Sequence, residues 1–336
     1  MQIATSSLHA FVEAAPLPIA THAGVSWARD LTDRYAYSHV CEIGVTGIEM
    51  DLSGSDTKEF FDKQGFALFP GVFSIEEIAR LRARLSELFE VPSQHGDDWD
   101  DGDFIRAIRF DLFNRNPDLA WVGVQPKVLD ALRGILGPEL AMVPESTAHY
   151  RGFGTWHKDT TSQERTGLSF HYGPEYCMVE CAVYLQDNDP DYGGGLDVVP
   201  GSHRMDYDPF LSKPSRLRRI RGRLGGSVDT AQAEASAQAV SIPSKAGDFV
   251  FFNKRLIHRS TPCRESDVPP HLEKYAVFFV AGPVSRLCDL QDYTAFIQSR
   301  ADYGYLADYC LEPAFKEQCA QAGVLLIQPV KLGSSS

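Results

Sequence analysis

The chain has no Cys-x-x-Cys pair, and its seven cysteines, Cys41, Cys177, Cys181, Cys263, Cys288, Cys310 and Cys319, are scattered and odd in number. That pattern argues against a zinc knuckle and a disulfide framework and points to reduced thiols. No stretch is both long enough and free enough of charge to cross a bilayer. The start of the chain lacks a basic segment, an apolar run and a small-residue cleavage site, and Pro16 and Pro18 interrupt its apolar residues, so a cytoplasmic protein without a membrane partner is expected. Cations are also in deficit. With 32 Lys and Arg against 45 Asp and Glu, the formal net charge is −13, which speaks against nucleic acid as a partner, because phosphate recognition relies on clustered cations. There is no internal repeat, and the bias towards small and polar residues is confined to the Ala/Ser/Gln-rich part of residues 225–238.

What is present is material for a large core, with 43% hydrophobic and 11% aromatic residues in 336. Residues 1–55 show no sustained periodicity and read as an N-terminal extension. A helix-competent segment from Asp56 to Phe61 leads into a short strand, Gly65 to Pro70. Ser74-Ile75-Glu76-Glu77 is a capping-box pattern, and Ile78, Leu81, Leu85 and Leu88 follow at helical spacing, which predicts a helix lying on a core with its arginines outward. A second helix is expected from Pro126 to Leu136, closed by Gly137-Pro138. The acidic run over residues 96–103 lacks the glutamate offset of a calcium loop and reads as a solvated loop.

From Glu139 the chain breaks into short β-rich runs: Leu140 to Tyr150, Tyr176 to Leu185, Leu196 to Val199, Val240 to Ile242, Asp248 to Phe252 and Lys274 to Val280. Gly, Pro, Asn and Asp clusters separate them, as in an all-β sandwich or barrel. Residues 212–240, basic at first and then small and polar, are expected to form an insertion or lid. Helical patterning returns over residues 284–336, a C-terminal helical extension. The fold class is therefore mainly β with flanking helices.

The stretch that carries chemistry is Thr155-Trp156-His157-Lys158-Asp159-Thr160. Side chains at i and i+2 on an extended segment point to one side, so the imidazole of His157 and the carboxylate of Asp159 can converge on one ion. A mononuclear ferrous site needs a third ligand with the opposite face left open, and His258 is the candidate.

Four segments then stand together: Asp62 to Phe66, Tyr184 to Asp187, Gly194-Gly195-Leu196-Asp197-Val198-Val199-Pro200-Gly201-Ser202-His203-Arg204, and Gly247 to Phe252 running on to His258. In these the chain resembles the phytanoyl-CoA dioxygenase family of iron(II)/2-oxoglutarate oxygenases, from about Asp56 to Val280. The resemblance implies a double-stranded β-helix (a cupin-like jelly roll) over residues 56–283. It also implies Fe(II) held by His157, Asp159 and His258, with 2-oxoglutarate and O2 as cosubstrates and a small molecule as substrate, oxidised at a C–H bond with release of succinate and CO2. Related halogenases have Gly or Ala where Asp159 stands, so the carboxylate implies hydroxylation or another oxidation over chlorination. Ser260 matches a family position that bonds the far carboxylate of 2-oxoglutarate.

The family arginine that clamps that carboxylate has no direct counterpart. Lys274 stands where it belongs, and Arg264 on the preceding loop is the alternative. Tyr150, Trp156, Tyr172 and His171 are candidates for the substrate pocket, or for core filling. His203 in the Pro-Gly-Ser-His turn reads as structural. Two other functions remain open from sequence: a silent β-barrel that binds a ligand, and an iron oxidase that does not use 2-oxoglutarate. A natural-product intermediate is the expected substrate class.

Overall fold

Period-two alternation and Gly-rich turns are resolved into two sheets in the computed structural model, which describes residues 55–91, 98–100, 105–173, 175–211, 230–300 and 310–329. All of these lie in one compact unit, Cys41–Ser336. Residues 1–54 of the expected N-terminal extension and residues 212–229 of the expected insertion lie outside the described residues.

The strands are β1 (Phe66–Phe69), β2 (Asp98–Asp100), β3 (Ile105–Phe110), β4 (Leu140–Tyr150), β5 (Val179–Tyr184), β6 (Leu196–Val198), β7 (Val240–Ser241), β8 (Phe249–Asn253), β9 (His258–Ser260), β10 (Tyr275–Pro283) and β11 (Val324–Leu326). The longer helices are α1 (Ser55–Gln64), α2 (Ile75–Glu90), α3 (Pro126–Leu136), α4 (Thr230–Ala237), α5 (Leu287–Ser299) and α6 (Pro313–Gln321). The large sheet has the order β1-β8-β5-β10-β4-β3-β2, with β11 paired to β4. The small sheet is β7-β6-β9, and a bridge between His157 and His258 continues it.

Alternate residues of the large sheet serve opposite layers, as the pleat requires. Phe66, Leu68, Tyr184, Val250 and Phe252 pack with Leu196, Val198 and Ile242 of the small-sheet side. The residues between them, Ala67, Cys181, Val183, Phe249 and Phe251, pack on the other face with Phe61, Leu81, Leu85, Leu129, Leu132 and Phe315 from the helices. This is the double-stranded β-helix with a helical layer on its larger sheet.

Local chemistry sets the helix ends. The Ser74 hydroxyl accepts from Glu77 N at 3.2 Å and Ser74 N donates to Glu77 Oε2 at 2.7 Å, so both halves of the capping box are made. Gln125 caps α3 in the same manner, its Oε1 accepting from Lys127 N and Val128 N.

Three elements differ from the sequence reading. Asp98–Asp100 is not a loop but an edge strand paired with β3, because backbone pairing does not need apolar side chains when the strand is at an edge. The C-terminal segment is not only helical: β11 adds a parallel strand to the first half of β4, leaving the second half for β3. The arginines of α2 are not all outward, since Arg82 donates to the carbonyls of Leu185 (3.2 Å) and Glu273 (2.9 Å) and covers the Tyr275 ring. Among the described residues no helix is long and apolar enough to cross a membrane.

Candidate metal centre

His157, Asp159 and His258 lie at one end of the space between the sheets, and one ligand atom from each falls within 4.8 Å of the others. His258 opens β9, whereas His157 is held beside it by paired backbone bonds, His157 N to His258 O and His258 N to His157 O, each 3.0 Å. Asp159 follows two residues later, and its Oδ1 is 3.6 Å from His157 Nε2 and 3.5 Å from His258 Nε2.

The second nitrogen of each ring settles the tautomers. His157 Nδ1 is 2.7 Å from Thr155 O and His258 Nδ1 is 3.0 Å from Leu256 O. A carbonyl only accepts, so each Nδ1 carries the proton and each Nε2 presents a lone pair. Burial, with His157 beside it, holds the His258 imidazole down to about 4, keeping it neutral near pH 7. Burial works against charge on Asp159, but the Lys254 ammonium beside it outweighs burial and holds the carboxyl below its usual range. Asp159 Oδ1 thus faces both Nε2 atoms, and the three ligand atoms turn towards one point. Two imidazoles with one carboxylate turned to a common point fit ferrous iron on one face.

A cavity of about 320 Å³ adjoins this cluster. Its floor is the inner face of the large sheet, where Glu145, Thr147 and His149 alternate along β4 beside Tyr184 of β5 and Phe278 of β10. Gly152, Phe153 and Ser260 line it as well, and α5 contributes Tyr293. Lys274, just before β10, is 3% exposed and donates from Nζ to Ser260 Oγ and to Gly152 O, both at 2.6 Å. Arg264 is exposed and joins its loop through a backbone bond to Asp191 O.

The four aromatic and histidine candidates for the substrate pocket are not brought to the cavity wall. Tyr150 packs at a tilt against Phe89 and Tyr275 on the helical side of the sheet. Trp156 is buried against α4, with its Nε1 donating to Ser236 Oγ at 2.9 Å. Tyr172 bonds Glu164 under the Arg255 guanidinium, and His171, fully buried, faces the same glutamate. His203 donates to the Asp62 carbonyl at 3.2 Å and packs on Gly65, where a Cβ would come within 2.4 Å of its ring.

Sequence reasoning missed Lys254 and Glu180. Lys254 Nζ is 3.3 Å from Asp159 Oδ2 and also pairs with Glu180, and both side chains line the cavity. Burial opposes the charge on Lys254, but Asp159 and Glu180 raise its pKa well above the ordinary value. A signal was there to read: Glu180 is the one acidic residue in the apolar run Met178 to Tyr184, and Lys254 directly follows the buried strand Phe249 to Asn253.

The chain is similar to known proteins. The family model described as Phytanoyl-CoA dioxygenase (PhyH) matches residues 61–267. An ectoine dioxygenase of Bordetella parapertussis is 28% identical over 229 residues, covering 62% of this chain and 70% of the relative. Another, of Stutzerimonas stutzeri, is 26% identical over 269 residues, covering 73% and 83%. Among solved structures, EctD from S. alaskensis with 2-oxoglutarate and 5-hydroxyectoine superposes with a TM-score of 0.51 at 20% identity, covering 69% of this chain and 77% of that one.

Proposed function

Because the chain belongs to the phytanoyl-CoA dioxygenase family and is an iron(II)- and 2-oxoglutarate-dependent oxygenase, we propose that His157, Asp159 and His258 ligate the iron and that a compact molecule of secondary metabolism is hydroxylated in the adjoining cavity. The observation that carries the site is the convergence of two Nε2 lone pairs and Asp159 Oδ1, with both Nδ1 protons already committed to carbonyls. Bound there, iron with 2-oxoglutarate and dioxygen supplies the oxidation of a C–H bond, with succinate and carbon dioxide as coproducts.

The protein's own residues bind and orient. Lys274 and Ser260 form a cation and hydroxyl pair at the end of the cavity marked by Gly152 and Phe153, and they suit the far carboxylate of 2-oxoglutarate. A lysine gives a point charge in place of the bidentate fork of an arginine, so the Ser260 hydroxyl and the Phe153 ring share in fixing direction. Phe110, Phe252 and Phe278 line the same space and exclude water from it. A volume near 320 Å³ lies at the lower end for small-molecule sites and favours a compact substrate over one the size of an acyl-CoA. Ectoine, for which the relatives above are named, belongs in the first set of candidates.

The test is succinate formation from 2-oxoglutarate across a panel of compact polar molecules and natural-product intermediates. One member is expected to raise succinate well above the uncoupled background, with a stoichiometric hydroxylated product. Succinate that stays at background across the panel counts against the substrate class, and its absence even as background counts against the activity.

A further inference from the structure

We propose that Lys254, clamped by Glu180, is a positioning residue that holds one oxygen of Asp159 away from the metal and keeps this carboxylate a one-oxygen ligand. The inference rests on the ligand reading of His157, Asp159 and His258 and adds a residue that sequence did not single out.

Lys254 lies on the tight turn between β8 and β9, the strand that carries His258. The turn is fixed by Leu256 N to Asn253 O at 2.7 Å, Lys254 N to Met178 O at 3.1 Å and Arg255 N to Asn253 Oδ1 at 2.9 Å. The residue is 2% exposed, with its ammonium 5.1 Å from the centre of the Tyr293 ring. From this anchored position Nζ meets Asp159 Oδ2 at 3.3 Å and pairs with Glu180 on β5. The two oxygens of Asp159 are thereby divided: Oδ1 faces both Nε2 atoms and Oδ2 faces the lysine.

That division matters for coordination. A carboxylate free to rotate about its terminal bond can chelate through both oxygens and take a fourth position of an octahedral ion. 2-Oxoglutarate needs two positions and dioxygen one, so a chelating Asp159 competes with the cosubstrate. Glu180, on β5, keeps Lys254 in place from the opposite side, and the turn that carries Lys254 is itself held by the hydrogen bonds above.

The experiment uses the full chain loaded with Co(II), without turnover. Wild type, Lys254→Met, Lys254→Arg and the double variant K254M/E180L are compared by the visible Co(II) absorption spectrum and by 2-oxoglutarate affinity in calorimetry. The double variant removes both charges together, so no stranded glutamate is left buried if the single variant fails to fold. Lys254→Met and K254M/E180L are expected to change the Co(II) spectrum and weaken 2-oxoglutarate binding on the order of 10- to 100-fold, the range for lost outer contacts of metal ligands, while still taking up cobalt. Lys254→Arg is expected to keep the wild-type spectrum. Folded variants with an unaltered spectrum and unaltered 2-oxoglutarate affinity overturn the positioning role alone. Wild-type protein that takes up no Co(II) overturns the ligand reading, and this inference with it.

Discussion

Each imidazole in the candidate centre is oriented by one main-chain carbonyl two residues before it, Thr155 for His157 and Leu256 for His258. The arrangement needs no side-chain partner, which is why sequence could name the ligands but no acceptor for their second nitrogens. The cosubstrate anchor is argued at the same scale. Lys274 is buried against Ser260 and Gly152, whereas Arg264 is exposed on its loop. Lys274→Ala is therefore expected to raise the KM for 2-oxoglutarate at least tenfold, as loss of a charged contact to a carboxylate does, and Arg264→Ala to leave it within about twofold. The reverse ranking in steady-state kinetics removes Lys274 from the site.

A second residue-scale prediction concerns His203. Burial pushes its pKa down to about 4, only partly countered by its bond to the Asp62 carbonyl, against an ordinary value of 6.5. Between those values the unfolded chain binds the proton and the folded chain does not, so stability is complete above pH 6.5 and is lost as pH falls towards 4. At pH 5 the loss is about 2 kcal/mol from this one ring. The urea midpoint of wild type should drop more between pH 7.5 and 5 than that of His203→Gln, and parallel drops contradict the assignment.

Elements were legible where a pattern is long. The predicted helix from Pro126 to Leu136 and the strand from Leu140 to Tyr150 coincide with α3 and β4, because an amphipathic stripe bounded by Gly137-Pro138 and a run of eleven strand-competent residues each admit one reading. In the small sheet the runs Leu196 to Val199 and Val240 to Ile242 fall on β6 and β7, whereas β9 is three residues long, too short for any period, and is not among the predicted runs. The small and polar end of the insertion carried no apolar signal either, yet it forms α4 and braces the ligand segment. Gln232 accepts from Trp156 N at 3.2 Å and donates to Trp156 O at 2.8 Å, and Ala235 packs in one cluster with the Trp156 ring. Gln232→Ala is expected to weaken metal binding several-fold and to speed amide exchange over residues 155–158, without loss of the fold. Unchanged exchange there means α4 does not brace the site.

For the whole molecule, the two facing sheets and the outer helical layer bring residues a hundred positions apart, His157 and His258, into one backbone bridge. That pairing is a property of topology, and no local pattern announces it; the order His157, Asp159, His258 became readable only through the resemblance of the segments around them. The pocket wall was not readable for the same reason. Glu145, Thr147, His149 and Tyr184 face the cavity because of register between strands, whereas Trp156 and Tyr172, although close to the ligands in sequence, turn away from it. Lys254 and Glu180 show how a charge inside an apolar strand marks a site that spacing alone passes over.

If these three side chains hold ferrous iron in a form that chelates 2-oxoglutarate, the chelate is visible in anaerobic absorption of the wild-type protein and of His157→Ala and Asp159→Ala as Fe(II) and then 2-oxoglutarate are added. A weak visible charge-transfer band is expected in wild type only when both are present, and each variant is expected to lose it. No band in wild type, or the same band in the variants, contradicts this assignment of the ligands.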